Sequence, residues 1–230
     1  MIIDAIVLAG GRASRLDGAS KAGLSLDGRS LLEHTLDALA VARRIVVVGD
    51  ETDILAAAPD AAITIVRETP VFAGPAAAIA AGVDALGALG AASDFTGVVA
   101  CDMPTVGSAI AVLVTAVRDG SDGSDGAVAV SPDGRVQPLV AVYSTVALAE
   151  CVARHREAGD LENLSVRALL AGLDPALVSV PDSSTDDVDT WADAARLGVA
   201  TPLRPVALQH PVALQLPVAP QHPVALQQKE

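Results

Sequence analysis

With 230 residues, of which 51% are hydrophobic, the chain is long enough to bury the core of one α/β domain. Its formal net charge of −13 argues against nucleic acid as a partner, because a protein that binds the phosphate backbone needs a basic face. The two cysteines lack metal or redox spacing, and no basic segment precedes the first apolar run. We therefore expect a reduced, cytoplasmic protein with no signal peptide and no membrane span.

Strand-like and helix-like segments alternate along most of the chain. The predicted strands are Ile3–Leu8, Arg44–Val48, Ile63–Val66, Gly97–Cys101, Ala127–Val130, Leu139–Tyr143 and Leu177–Val180. The predicted helices are Ser30–Val41, Thr52–Ala58, Gly74–Leu86, Ser108–Arg118, Thr145–Glu157, Ser165–Ala171 and Val188–Leu197. Such alternation is typical of βαβ crossovers, so we expect a three-layer, Rossmann-like α/β fold with a mainly parallel central sheet.

The chain changes character near residue 199. The pentapeptide Pro-Val-Ala-Leu-Gln occurs three times between residues 205 and 227, and six of the fourteen prolines lie from residue 199 onward. A low-complexity, proline-rich composition predicts an extended or disordered segment without a catalytic role. We therefore expect a folded domain over residues 1–198 and a tail over residues 199–230.

The segment after the first predicted strand is rich in glycine and positive charge. Leu8-Ala9-Gly10-Gly11 ends the strand, and Arg12, Arg15 and Lys21 follow shortly after. Glycine lets the backbone approach a ligand closely, and bare amides followed by cations suit a polyphosphate. The alternative is an ordinary turn with solvated basic residues. The segment is not a P-loop, because no glycine directly precedes Lys21, and its adjacent glycines do not match the dinucleotide fingerprint.

Acidic residues follow the ends of other predicted strands. Asp50 and Asp102 each lie just past a strand, as Gly11 does. Ligands of parallel sheets bind outside the carboxyl ends of the strands, so these three residues should lie on one edge. A carboxylate at Asp102 is suited to hold Mg²⁺ against phosphate oxygens, and a turn or helix-cap role is the alternative.

The loop and four later segments resemble the nucleotidyltransferases with a glycosyltransferase-A-like fold, and most closely the molybdenum cofactor guanylyltransferases. In the loop the match consists of Leu8-Ala9-Gly10-Gly11, Arg15, Gly18 and Lys21. The later segments, in order, are Gly28-Arg29-Ser30-Leu31-Leu32-Glu33-His34, Gly74-Pro75, Cys101-Asp102-Met103-Pro104 and Asp187-Val188-Asp189-Thr190. The resemblance spans roughly residues 1–198. The chain departs from the family pattern at Leu16-Asp17, where Met is usual, at Ser20, and at Trp191, where Pro is usual.

This resemblance implies a nucleotidyltransferase fold and Mg²⁺-dependent transfer of GMP from GTP to molybdopterin, with release of pyrophosphate. It implies catalytic roles for Arg15, Lys21 and Asp102. Placement and resemblance together give the candidate nucleotide-binding residues Leu8, Ala9, Gly10, Gly11, Lys21, Asp50, Glu68 and Asp102. Glu68 matches an acidic position of the family at which a carboxylate can meet a guanine edge. Asp189 either joins Asp102 as a metal ligand or caps the helix predicted near Thr190.

Other interpretations stay open at this point. They are a cytidylyltransferase for the same pterin, a sugar-phosphate nucleotidyltransferase, and a non-catalytic module that delivers nucleotide or cofactor. The expected partners are GTP and molybdenum-bound molybdopterin, with molybdoenzyme apo-proteins or their chaperones as further candidates. We expect a monomer.

Overall fold

The computed structural model describes residues 1–11, 16–120 and 124–201. The strands are β1 (Ile3–Leu8), β2 (Ser25–Leu26), β3 (Arg29–Ser30), β4 (Ile45–Val48), β5 (Thr64–Val66), β6 (Phe95–Ala100), β7 (Gly126–Val130), β8 (Val136–Ser144) and β9 (Ala176–Ser179). The helices are α1 (Leu31–Ala38), α2 (Glu51–Ala57), α3 (Pro75–Ala88), α4 (Gly107–Arg118), α5 (Thr145–Ala158), α6 (Val166–Leu169) and α7 (Trp191–Arg196). A short 3-10 helix covers Lys21–Gly23.

Seven strands form one sheet in the order β5-β4-β1-β6-β8-β7-β9. Among these seven described strands, β8 alone runs against the others, since its pairings with β6 and β7 are antiparallel. The central strand β1 is flanked by β4 and β6, and Leu8 pairs with Val48 on one side and Ala100 on the other. The prediction of a mainly parallel α/β sheet is confirmed, and the carboxyl ends of β1, β4 and β6 meet at one edge.

Helices cover both faces of the sheet, which gives the three predicted layers. Ile3, Ala5 and Val7 of β1 pack in a core cluster with residues of α1, α2 and α4. Ile6 and Leu8 pack in a second cluster with residues of α3, α5 and α6. Because both faces are buried, the strands are nearly continuous apolar runs, and this is why the sequence pattern predicts them well.

The alanine-rich segment after Gly74 forms α3, with Pro75 at its first position. Gly82 lies against β1, and a Cβ at this position would come within 2.6 Å of the Ile6 side chain. Small residues therefore let this helix approach the sheet closely. None of the helices in the described part of the chain combines the length and hydropathy that a bilayer crossing requires.

All seven predicted strands and all seven predicted helices occur, with their ends displaced by a few residues. The capping box predicted for Ser30 and Glu33 is present. The helix predicted from Val188 instead begins at Trp191, because Thr190 caps it. The hairpin of β2 and β3 was not predicted, since two-residue strands show no periodicity. Its turn, Asp27-Gly28, is a recognisable hairpin signal, and both residues have positive φ.

A third buried cluster joins the C-terminal segment to the loop that follows β1. Its buried members are Leu16, Leu24, Leu31, Val188, Ala194 and Val199. Ser25 and Ala200 exchange two backbone hydrogen bonds of 3.1 and 2.7 Å. The indole N–H of Trp191 donates to the Asp17 carboxylate at 2.9 Å. The segment before and within α7 is thus fixed to the start of the chain by packing and by hydrogen bonds.

Most of the predicted tail, residues 202–230, lies outside the described residues. A chain that ends at Thr201 should keep the full chain's melting temperature to within about 5 °C, because a proline-rich repeat offers little apolar surface to bury. A chain that ends at Asp187 should melt far lower, since the third cluster then loses Val188, Ala194 and Val199.

Differential scanning fluorimetry of the three chains tests this expectation. For a domain of this size, 5 °C corresponds to roughly 2 kcal/mol. A larger drop in the chain that ends at Thr201 would show that the tail packs on the domain and would contradict the boundary.

Candidate active site

A cavity of about 660 Å³ opens at the edge of the sheet where β1, β4 and β6 end. It brings together most of the residues that the sequence predicts for the site, namely Ala9, Gly10, Gly11, Lys21, Asp50, Glu68, Asp102 and Asp189. The rule that ligands bind beyond the carboxyl ends of parallel strands therefore located this cavity correctly.

Two predicted residues are not placed in the cavity. Leu8 is the last residue of β1, and its 8% exposed side chain packs in the core cluster beneath α3 instead of lining the cavity. Its side chain takes one face of the sheet, whereas the cavity lies beyond the carboxyl end of the strand. Arg15, and Arg12 before it, lie outside the described residues, so Arg15 stays a prediction.

Main-chain contacts hold the glycine loop against both neighbouring strands. The Ala9 N–H donates to the Val48 carbonyl at 2.9 Å, and the Cys101 N–H donates to the Leu8 carbonyl at 3.1 Å. A Cβ on Gly49 would lie 3.1 Å from the Ala9 carbonyl carbon, so glycine at this position permits the close approach. Because the Ala9 N–H already donates to the Val48 carbonyl, only the amides of Gly10 and Gly11 are left for the phosphate contacts that the sequence predicts from this loop.

Lys21 connects the acidic residues of the cavity. Its Nζ lies 2.7 Å from Asp102 Oδ2 and 2.6 Å from Asp189 Oδ1. Burial of the ammonium group acts to lower its pKa, but the charges and hydrogen bonds of Asp102 and Asp189 outweigh burial, so the pKa of Lys21 is raised. The side chain therefore stays protonated at neutral pH and bridges two carboxylates.

Asp102 and Asp189 are held in place by the backbone around them. Asp102 follows β6, and its carbonyl accepts a hydrogen bond of 3.0 Å from the Val188 N–H. Thr190, one residue after Asp189, is the helix cap of α7, which leaves the Asp189 carboxylate to bind Lys21. Burial raises the pKa of nearby Asp187, and the charges of Asp102 and Asp189 raise it further. The rise in the pKa of Asp187 reflects the negative charge that Asp102 and Asp189 bring to this side of the cavity.

Asp102 and Asp189 are also the residues that could hold a metal ion. Each presents an oxygen to the same ammonium group, so both oxygens can reach one small cation. Mg²⁺ in nucleotide sites is commonly held by one or two carboxylates together with substrate phosphates, and this donor pair fits that chemistry. In the parts of the chain that the structure describes, no group of three or more His, Cys, Asp or Glu side chains could hold a metal.

The other end of the cavity is formed by the ends of β4 and β5. Asp50 caps α2 by accepting a hydrogen bond from the Thr52 N–H at 3.0 Å, and Arg67 donates to its other oxygen at 2.6 Å. Glu68 is buried, and its Oε1 accepts a hydrogen bond of 2.9 Å from the Phe72 N–H. The guanidinium carbon of Arg67 lies 5.7 Å from the centre of the Phe72 ring.

Sequence reasoning missed Arg67 and Phe72, which both line the cavity. A signal for Phe72 was available, because it is one of only two phenylalanines in the chain and lies in a predicted loop. No comparable signal identified Arg67, since its partner Asp50 comes seventeen positions earlier in the chain.

Comparison with known proteins agrees with this geometry. The family model described as the MobA-like NTP transferase domain matches residues 5–178. The molybdenum cofactor guanylyltransferase of Burkholderia cenocepacia (strain HI2424) is 33% identical over 210 residues, covering 85% of this chain and 95% of the relative.

Solved structures share the fold. Molybdopterin-guanine dinucleotide biosynthesis protein A from Archaeoglobus fulgidus superposes with a TM-score of 0.61 at 23% identity, covering 84% of this chain and 96% of the other. Rv0371c from Mycobacterium tuberculosis H37Rv gives a TM-score of 0.66 at 23% identity, with 86% and 97% covered. The matches to the family model and to the Burkholderia relative confirm the resemblance seen in the sequence, and the cavity brings the glycine loop, Lys21 and Asp102 together. The chain therefore belongs to the MobA-like NTP transferase domain family and is a nucleotidyltransferase.

Proposed function

We propose that this protein transfers GMP from GTP to molybdopterin and so forms the guanine dinucleotide form of the molybdenum cofactor. The observation that carries the proposal is the convergence of Lys21, Asp102 and Asp189 beside the glycine loop. It is supported by 33% identity to a protein named molybdenum cofactor guanylyltransferase over 85% of this chain. The proposal places the enzyme in the cytoplasm, in keeping with its two buried free cysteines. Molybdoenzyme apo-proteins or their chaperones would receive the product.

In the proposed reaction the terminal phosphate of molybdopterin attacks the α-phosphorus of GTP. A new P–O bond forms there, the bond to the β-phosphate breaks, and pyrophosphate leaves with its electron pair. No covalent enzyme intermediate is needed. Catalysis therefore consists of positioning the two substrates and neutralising charge on the phosphates.

The residues of the cavity supply both functions. The amides of Gly10 and Gly11 would donate to phosphate oxygens, since backbone N–H groups in a glycine turn suit an anion. Lys21 would exchange a carboxylate partner for the triphosphate and so offset charge on the leaving pyrophosphate. Arg15, by family likeness, would contribute a second cation.

Asp102 and Asp189 would hold Mg²⁺. When bound there, the ion would neutralise negative charge on the phosphate oxygens. The acidic surroundings of these partly exposed carboxylates favour a cation, as their contact with Lys21 illustrates.

The test is a pyrophosphate-release assay with GTP, CTP, ATP and UTP, each with and without molybdenum-bound molybdopterin. We expect Mg²⁺-dependent release with GTP and the pterin together. Faster release with CTP would move the protein to cytidylyl transfer. Release only when a sugar phosphate replaces the pterin would indicate a sugar-phosphate nucleotidyltransferase, and nucleotide binding without turnover would indicate a delivery module.

Replacement of Asp102 by Asn should lower the rate roughly a thousandfold or more, because a metal ligand loses its charge at the site of phosphoryl transfer. The melting temperature should change little, since the side chain lies in an open cavity. The matched control is Asp84→Asn on the exposed face of α3, where the carboxylate pairs with Arg156. Mg²⁺-dependent turnover near the wild-type rate in the Asp102→Asn variant would remove Asp102 from the site.

Replacement of Lys21 by Ala should weaken GTP binding roughly ten- to a hundredfold, the size expected for a lost charge-assisted contact, and should lower the rate strongly. Isothermal titration of GTP beside a rate assay measures both effects. Arg118→Ala, at the exposed end of α4 on the opposite edge of the sheet, should change neither. If affinity and rate are both unchanged in Lys21→Ala, the lysine has no role beyond its ion pairs.

A further inference from the structure

Phe72 is a large aromatic side chain that lines the nucleotide cavity while remaining exposed. It is 46% exposed, although aromatic residues make up only 2% of the chain. A protein with so few aromatics gains most from burying them, because each can bury more apolar area than any aliphatic side chain. An exposed ring at the wall of a ligand cavity therefore indicates a surface that a ligand covers.

The backbone holds Phe72 in an unusual conformation. Its φ is 63°, in the left-handed region that phenylalanine rarely adopts. The Phe72 N–H donates to Glu68 Oε1 at 2.9 Å, and Glu68 itself is only 8% exposed. A buried carboxylate is thus used to fix the position of this one residue.

The guanidinium group of Arg67 lies close to the Phe72 ring. The guanidinium carbon of Arg67 lies 5.7 Å from the ring centre, within the range of a cation–π contact. Arg67 is in turn held by Asp50, which caps α2. The ring is therefore supported by Arg67 and by Glu68, and its exposed surface lines the cavity.

These contacts change the role that the sequence suggested for Glu68. To read guanine directly, a carboxylate must accept from N1–H and N2–H together, with both oxygens turned toward the base. Here one oxygen already accepts the Phe72 amide, and with only 8% of Glu68 exposed the residue lines the cavity with little accessible surface. This geometry suits a role in which Glu68 positions Phe72 through the hydrogen bond to its amide.

We propose that Phe72 is the surface on which the nucleobase stacks, and that Glu68 is the positioning residue that holds Phe72 there. The inference rests on the proposed function, because it needs a nucleoside triphosphate in this cavity. Stacking is stronger for the larger purine ring than for a pyrimidine. Phe72 therefore favours GTP over CTP but does not separate GTP from ATP.

Titration calorimetry of GTP, ATP, CTP and inorganic tripolyphosphate tests the role of Phe72. Phe72→Ala should weaken binding of the two purine nucleotides roughly five- to a hundredfold, the range for loss of one base–aromatic stack. Binding of CTP should weaken less, and that of tripolyphosphate, which has no base, should not change. Phe72→Trp should bind GTP as the wild type does, with quenching of the new tryptophan emission.

The outcomes separate this inference from the proposed function. A wild-type protein that binds neither GTP nor tripolyphosphate contradicts the proposed function. Wild-type affinity for GTP in Phe72→Ala, with tripolyphosphate binding intact, overturns the stacking role alone.

Two substitutions test Glu68. Glu68→Gln keeps an oxygen that can accept the Phe72 amide, so it should bind GTP within about threefold of the wild type and keep the purine preference. Glu68→Ala should match Phe72→Ala. Exposed Glu150→Gln on α5 is the matched control for removal of one charge. If Glu68→Gln loses affinity for GTP but not for ATP, the carboxylate reads guanine directly and the positioning role is wrong.

Discussion

The ammonium group of Lys21 joins two separate parts of the chain at the edge of the sheet where the cavity opens. Lys21 contacts Asp102, at the end of a central strand, and Asp189, just before the last helix. The chain carries a formal net charge of −13, and no lysine occurs between this one and Lys229. Exposed ion pairs contribute little to stability, but a half-buried cation with two short carboxylate contacts is held more firmly. These contacts organise the cavity, and under the proposed function a bound triphosphate would rearrange them.

Two departures from the family pattern lie in contact with each other. Leu16, where the family usually has Met, packs in the third cluster with Val188. Asp17 accepts a hydrogen bond from the indole of Trp191, which stands where the family usually has Pro. The substitutions are therefore parts of one interface, and they lie beside Lys21 and Asp189 without replacing either. The chain differs from the family pattern in the contacts that support the site, and it keeps Lys21 and Asp189, to which the proposed function assigns the chemistry.

Much of the fold could be predicted because the sheet is buried on both faces. Parallel strands appear as apolar runs, and the residues that follow them must meet at one edge, which is how Gly11, Asp50 and Asp102 were placed together. The contacts of Lys21 could not be predicted in the same way, since its partners are 81 and 168 positions away. The use of the Ala9 amide by β4 and of the Glu68 carboxylate by Phe72 also escaped prediction. In each case a group that could bind a ligand is hydrogen-bonded to another part of the folded chain, and local sequence patterns do not predict such bonds.

The position of the closing segment has a consequence for how the enzyme is made. The matched family model ends at residue 178, yet Asp189 and the residues that anchor it to Ser25 and Asp17 come later in the chain. During synthesis the central sheet can be complete while Lys21 still lacks its second partner. Under the proposed function, a nascent chain on the ribosome therefore lacks part of the proposed catalytic centre until about residue 200 has emerged. Under the same proposal, a product truncated before Asp189 lacks one of the two proposed metal ligands as well as the third cluster's contacts from Val188, Ala194 and Val199.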